Sequence, residues 1–266
     1  MANYMKSEFY RILHGRTIYL LTLALTSLLV LMNVVLFLFM TYAPGFYYGT
    51  VRFSFIWPIS DMQAFYIGGF LVVMLLSSDE YKNGVMKNAV AGGMNRIHIF
   101  IGKCIVYGIV AMISAAVILA VYILTTYALL EADFSVPLES TLPLKVLLTG
   151  AAANLPFSLA SVVLTVALNQ IFQKEIQVSI GWASVTYLIP LAVRLLGMQI
   201  QPCARIASWL PWNFLSTEVS VAFGSMQMDA LWMHPEGFLK EMIVGAVGIL
   251  LFGAVGICGI HKKDIS

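Results

Sequence analysis

Residues 17–40 read TIYLLTLALTSLLVLMNVVLFLFM, and no Asp, Glu, Lys or Arg occurs from Thr17 to Val51. A helix that crosses a bilayer needs about 20 mostly apolar residues, and Ile18–Met40 supplies them. The whole chain shares this imbalance. Of its 266 residues 60% are hydrophobic and only 11% are charged, with a mean hydropathy of +0.89. A soluble domain is about half apolar and about a quarter charged. Fifteen Lys+Arg and thirteen Asp+Glu cannot cover a water-facing exterior, because folding leaves much of a chain's surface outside. A soluble globule is excluded, and so is a disordered chain. The formal net charge of +2 is too small to point to nucleic acid.

The uncharged runs define six expected spans, at about 18–40, 62–78, 104–130, 146–170, 176–193 and 242–260. The expected fold is an all-α integral membrane protein, one transmembrane domain over residues 1–266. The fourth and fifth runs are separated only by Lys174-Glu175. They read as a hairpin, since two adjacent charges belong at an interface and not at mid-membrane. With the N-terminus inside, ten of the fifteen Lys and Arg fall on the inner side, against five of the thirteen acids. That bias predicts two cytoplasmic termini in a plasma membrane. The first apolar run is too long for a cleavable signal core, and no small-x-small site follows it. Before it, residues 4–16 read as a short interfacial helix. Met5, Phe9, Ile12 and Leu13 share its apolar face.

Two outer segments stand out. Thr41–Asp61 is aromatic (Tyr42, Phe46, Tyr47, Tyr48, Phe53, Phe55, Trp57) and is expected to lie along the outer headgroup layer. Arg194–Glu241 holds Pro202, Pro211 and Pro235 with Trp209, Trp212 and Trp232. Its apolar part, Ala204–Phe223, is expected to form a re-entrant or extracellular helical hairpin, broken at Pro211.

Familiar chemistry is missing. The sequence has no GxxxxGK[ST] phosphate loop and no HExxH zinc motif. Cys104, Cys203 and Cys258 have no metal-ligand spacing, and the four His are scattered. Ser225 follows a glycine but lacks the second glycine of a nucleophile elbow. No cofactor or metal is expected in this chain. No acid falls inside any of the six runs, which argues against ion coupling through an intramembrane carboxylate. Asn33, Asn154, Ser158, Ser161 and Thr165 are the polar groups at depth. They read as hydrogen bonders between helices. Pro156 and Pro190 are expected to bend their helices. In the sixth run Gly245, Gly248, Gly253, Gly256 and Gly259 fall within an arc of about 140° at 100° per residue. Small residues on one face let helices approach closely, either within the subunit or at a dimer seam.

The most polar stretch is residues 77–103. Tyr81, Val85 and Ala89 recur at helical spacing, with Glu80, Asn83 and Lys87 roughly opposite. Asp79-Glu80 suit the start of a short helix, and Gly92-Gly93 its end. Such a helix fits a partner's groove, and it equally fits a solvated loop on the inner leaflet.

The pattern Glu80-x-x-x-Gly84-Val85-x-Lys87, followed by Gly92-Gly93-x-x-Arg96 and by Lys103 entering an apolar run, resembles the signature of type-2 ATP-binding-cassette exporter permeases. The layout is similar too: an N-terminal interfacial helix, six spans, a re-entrant pair between the fifth and sixth, and the basic tail Lys262-Lys263. The likeness is greatest to small Gram-positive permeases, some of which export or expel peptide antibiotics. Val85 departs from the pattern, standing where Thr is common.

The resemblance implies a permease subunit without catalytic residues. It would pair with a second permease and dock a separate ATP-hydrolysing subunit through Asp79, Glu80, Tyr81, Gly84, Lys87, Arg96 and Lys103. ATP would bind to that partner, and the cargo would be a peptide, drug or lipid-like amphiphile. The alternatives are a membrane scaffold or sensor that binds a cytoplasmic partner but moves nothing, and an ion-coupled carrier.

Overall fold

The computed structural model describes residues 1–43, 46, 48–60, 63–83, 93–131, 143–172, 174–210, 218–222, 225–229, 232 and 234–261. The chain is mainly helical, and five helices are long and apolar enough to cross a membrane. In chain order the helices are α1 (Ala2–His14), α2 (Thr17–Tyr42), α3 (Val51–Ser60), α4 (Gln63–Asn83), α5 (Arg96–Leu129) and α6 (Pro143–Ile171). Then come α7 (Glu175–Gly197), α8 (Gln201–Ala207), the strands β1 (Glu218–Ala222) and β2 (Ser225–Asp229), and α9 (Pro235–His261). The five are α2, α5, α6, α7 and α9. The apolar part of α4, Phe65–Ser78, is shorter.

α6 is the central helix. In its most apolar 18-residue window 72% of residues are buried, against 11% in α2. It packs against α9 along its length and touches α3, α4, α5 and α7. α2 instead turns Leu20, Leu23, Leu28, Leu31 and Phe39 outward, as a helix solvated by lipid does. Two apolar clusters fill the interior. One gathers Ile12, Ile18, Leu76, Phe100, Tyr107 and Ile260. It joins α1 to the ends of α2, α4, α5 and α9. The other runs toward the opposite end through Phe55, Tyr122, Phe157, Trp182 and Trp232.

The expected interfacial helix at 4–16 forms as α1, with Ile12 buried and Met5 and Phe9 packed on the same cluster. Tyr4 and Glu8 are buried as well, and Leu13, expected on that face, is exposed. The reason is a specific dock onto α5. Tyr4 lies against Gly102, where an added methyl would come within 3.0 Å of its ring. Arg11 binds Glu8 at 2.8 Å and donates to the Tyr107 hydroxyl at 3.3 Å. This ion pair lets a carboxylate be buried on that face.

Three of four further expectations need correction. First, α4 runs unbroken to Asn83, so Asp79, Glu80 and Tyr81 end the helix of the second run instead of starting a new one. No Gly or Pro interrupts the chain between Ser77 and Asn83. Second, the turn or two expected at 95–103 does form and runs on into the apolar run, as α5 starts at Arg96. Its N-cap is Asn95, whose side chain accepts from the Ile97 amide.

Third, the aromatic 41–61 segment does not simply lie along an interface. Within it α3 packs into the core, with Phe55 and Ser54 fully buried. Fourth, among its described residues the segment read as a helical hairpin shows a short helix, α8, and an antiparallel β-hairpin paired from Glu218↔Asp229 to Ala222↔Ser225. Its strands, EVSVA and SMQMD, alternate with period two. They leave only Phe223-Gly224 between them, the length of a tight hairpin turn. The stretch at 211–217 lies outside the described residues.

Both prolines lie within their helices. Pro156 sits inside α6. Ahead of Pro190, residues Ser184–Leu188 form a π turn in which the Ile189 amide bonds the Ser184 carbonyl. The wider turn accommodates the ring that cannot donate at Pro190.

Candidate functional site

The docking set falls on the connection between α4 and α5. Asp79, Glu80 and Tyr81 lie on the last turns of α4, and Arg96 opens α5. Gly84 and Lys87, with the short helix read around Val85 and Ala89, lie outside the described residues. Arg96 is half-buried. Lys103 is 5% exposed, so it is buried and does not stand at the surface. Both helix ends emerge beside α1 at the first apolar cluster, where Leu76 of α4 and Phe100 of α5 meet Ile12. The geometry therefore places a charged end of α4 and a charged start of α5 at one end of the bundle.

Polar groups at depth behave in two ways. Asn33 joins three helices. Its amide donates to Thr126 at 2.9 Å and Thr125 at 3.1 Å, and its carbonyl accepts from Ser54 at 2.7 Å. The Ser54 hydroxyl also meets the Tyr122 hydroxyl at 2.7 Å, and Tyr122 donates to the Ser54 carbonyl. Ser161 of α6 donates to the Tyr66 carbonyl of α4 at 2.7 Å and accepts from the Trp182 ring of α7 at 3.0 Å. Phe70 stacks on the same Trp182 with centroids 4.5 Å apart. By contrast, Asn154 and Thr165 bond carbonyls of their own helix, those of Gly150 and Ser161. Ser54 was hidden in sequence because it lies in a segment too aromatic to look like core.

The glycines of α9 divide. Methyl groups built on Gly248, Gly256 and Gly259 would come within 3.3 Å of Ala160, 3.0 Å of Ala167 and 2.7 Å of Ile171. One on Gly245 would overlap Pro156. These four partners are on α6, so the glycines form a seam with it, and a methyl on Gly256 would meet the Phe100 ring of α5 more closely still, at 2.5 Å. Gly253 has open space around it. It lies at the edge of the arc and does not belong to the seam.

The same seam holds a residue that the sequence left outside the sixth run. Glu241 is fully buried, one turn before Gly245 on the same face of α9. Neither of its carboxylate oxygens has a hydrogen-bond partner. This carboxyl is buried in the protein one residue ahead of the sixth uncharged run. The signal was the spacing Glu241, Gly245, Gly248, Phe252, Gly256, Gly259, which puts the acid on the glycine face.

Among the described residues no group of three His, Cys, Asp or Glu is placed to hold a metal ion. Compared with protein-family models, curated proteins and solved structures, the chain matches none.

Proposed function

We propose that the chain is the membrane-spanning permease subunit of an ATP-driven exporter of the ATP-binding-cassette type. The observation that carries this reading is the shared end of α4 and α5. Both helices extend past their apolar stretches as charged stalks, to Asn83 and back to Arg96, and the resembling motif lies between and upon them. In this reading α4 crosses as the second of six spans, and both termini face the cytoplasm of a plasma membrane. A second permease copy or relative completes the path. The ATP-hydrolysing subunit is separate, because this chain has no phosphate loop. Rigid stalks suit the task, since movement of a docked partner at residues 79–96 is transmitted along two long helices to the buried clusters. The cargo class that fits is a peptide, drug or lipid-like amphiphile.

Charge reversal supplies the test. Glu80→Lys or Arg96→Glu should abolish stimulation of the partner's ATPase in the reconstituted complex while the permease stays folded. Unchanged stimulation in both variants overturns the docking assignment. Replacing residues 79–96 by a neutral linker should also abolish co-purification of the ATPase.

Glu241 favours one other reading, an ion-coupled carrier, because a carboxyl at depth is a usual element of proton pathways. Uptake or efflux driven by a pH gradient in vesicles holding this chain alone would support it. Transport that requires ATP and the partner excludes it.

A further inference from the structure

The buried acid on the α6–α9 seam needs a physical account under either reading. An ionised carboxylate shut away from water without donors or a counter-charge is strongly disfavoured. Glu241 has no hydrogen-bond partner at either oxygen and no exposure. Among the described residues no charged group pairs with it. On α6 the charged residue is Lys145, which is exposed near that helix's start. On α5, which also packs on α9, Arg96, His98 and Lys103 cluster at the N-terminal end, beside the other end of α9. On α9 itself Glu236 is exposed. Lys240 points away, donating to the Ser208 carbonyl at 2.8 Å and lying 4.8 Å from the Trp209 ring centroid. The Asn154 amide donates to Gly150. Pro156 has no N–H for the Ala152 carbonyl, which adds an acceptor to this level of α6 and no donor.

We infer that Glu241 is a proton-binding site, neutral while the glycine seam between α6 and α9 is closed and ionised when the seam opens to water. The step is simple acid dissociation. The carboxyl O–H bond breaks, the proton passes to water, and the carboxylate is left hydrated. Closure reverses it. The site takes a proton and no larger cation, since the side chain is already fully enclosed. A permease that separates these helices during its cycle would then take up and release a proton at this position.

Infrared spectroscopy of the purified chain tests the inference without any partner or substrate. At neutral pH the wild type should show a protonated-carboxyl C=O band that is missing in Glu241→Gln. Identical carboxyl regions in the two proteins overturn it. If Glu241→Gln does not fold, the wild type decides alone: a band present at neutral pH and lost at alkaline pH supports the site, and its absence at neutral pH overturns it. A wedge at Gly248, which faces Ala160, tests the link to opening. Gly248→Leu should remove the band at neutral pH in a chain that still runs as a monodisperse species. A monodisperse Gly248→Leu chain that keeps the band overturns the coupling.

Discussion

Asn33 shows what a single polar residue does in this interior. Within α2 it would be a costly intrusion, yet its amide and carbonyl are both used, on α5 and α3. Removing it leaves the hydroxyls of Ser54 and Thr126 short of a buried partner. Asn33→Ala should therefore cost about 1–3 kcal/mol of stability, read as a lower melting temperature in detergent. Asn33 was legible from sequence as a group that must bond between helices, because lipid offers no partner. Ser54 and Glu241 were not. Each borders a stretch whose bulk composition, aromatic or charged, masked the one face that turns inward.

The glycines make a paired prediction at the same scale. Gly245→Ala should lower the melting temperature, because its methyl meets Pro156 at backbone depth, and overpacking costs about 1–3 kcal/mol. Gly253→Ala has open space and should leave the melting temperature unchanged.

At the scale of elements, apolar runs located the long helices well and their ends poorly. A charge scan stops a span where Asp or Arg begins. The backbone stops only where its hydrogen bonds fail, so α4 continues through Asp79 to Asn83 and α5 begins at Arg96. The hairpin of β1 and β2 was missed for a different reason. Its alternating strands are short and sit in a segment whose tryptophans and prolines suggested an interfacial helix.

α1 was legible as an amphipathic helix with Met5, Phe9 and Ile12 toward the core, but the buried Glu8 was not, since it makes sense only once Arg11 and Tyr107 are brought to it. Glu8→Ala should strip Arg11 of its ion pair and loosen α1 from α5. The expected outcome is faster proteolytic clipping after Arg11 or Arg16, with the long helices unaffected. Clipping at the wild-type rate would show that the apolar dock through Tyr4 and Ile12 suffices.

For the whole molecule the decisive quantity was the scarcity of charge. It identified lipid as the solvent, and the five long apolar helices agree with that. It also argued against an acid inside any apolar run, and Glu241 is buried just ahead of the last one. Orientation is a property of the whole chain as well. The Lys and Arg bias predicts that reporter domains fused at Met1 and Ser266 both face the cytoplasm, and that cysteines placed at Ser225 are labelled from outside. If the chain is driven by an ATPase docked between α4 and α5, as proposed, the ATPase rate of the reconstituted complex, measured with a panel of amphipathic peptides in wild type and Glu80→Lys, will show it. The expected result is peptide-stimulated hydrolysis that Glu80→Lys abolishes while the complex remains membrane-inserted. Hydrolysis that is indifferent both to the peptides and to the charge at residue 80 would contradict it.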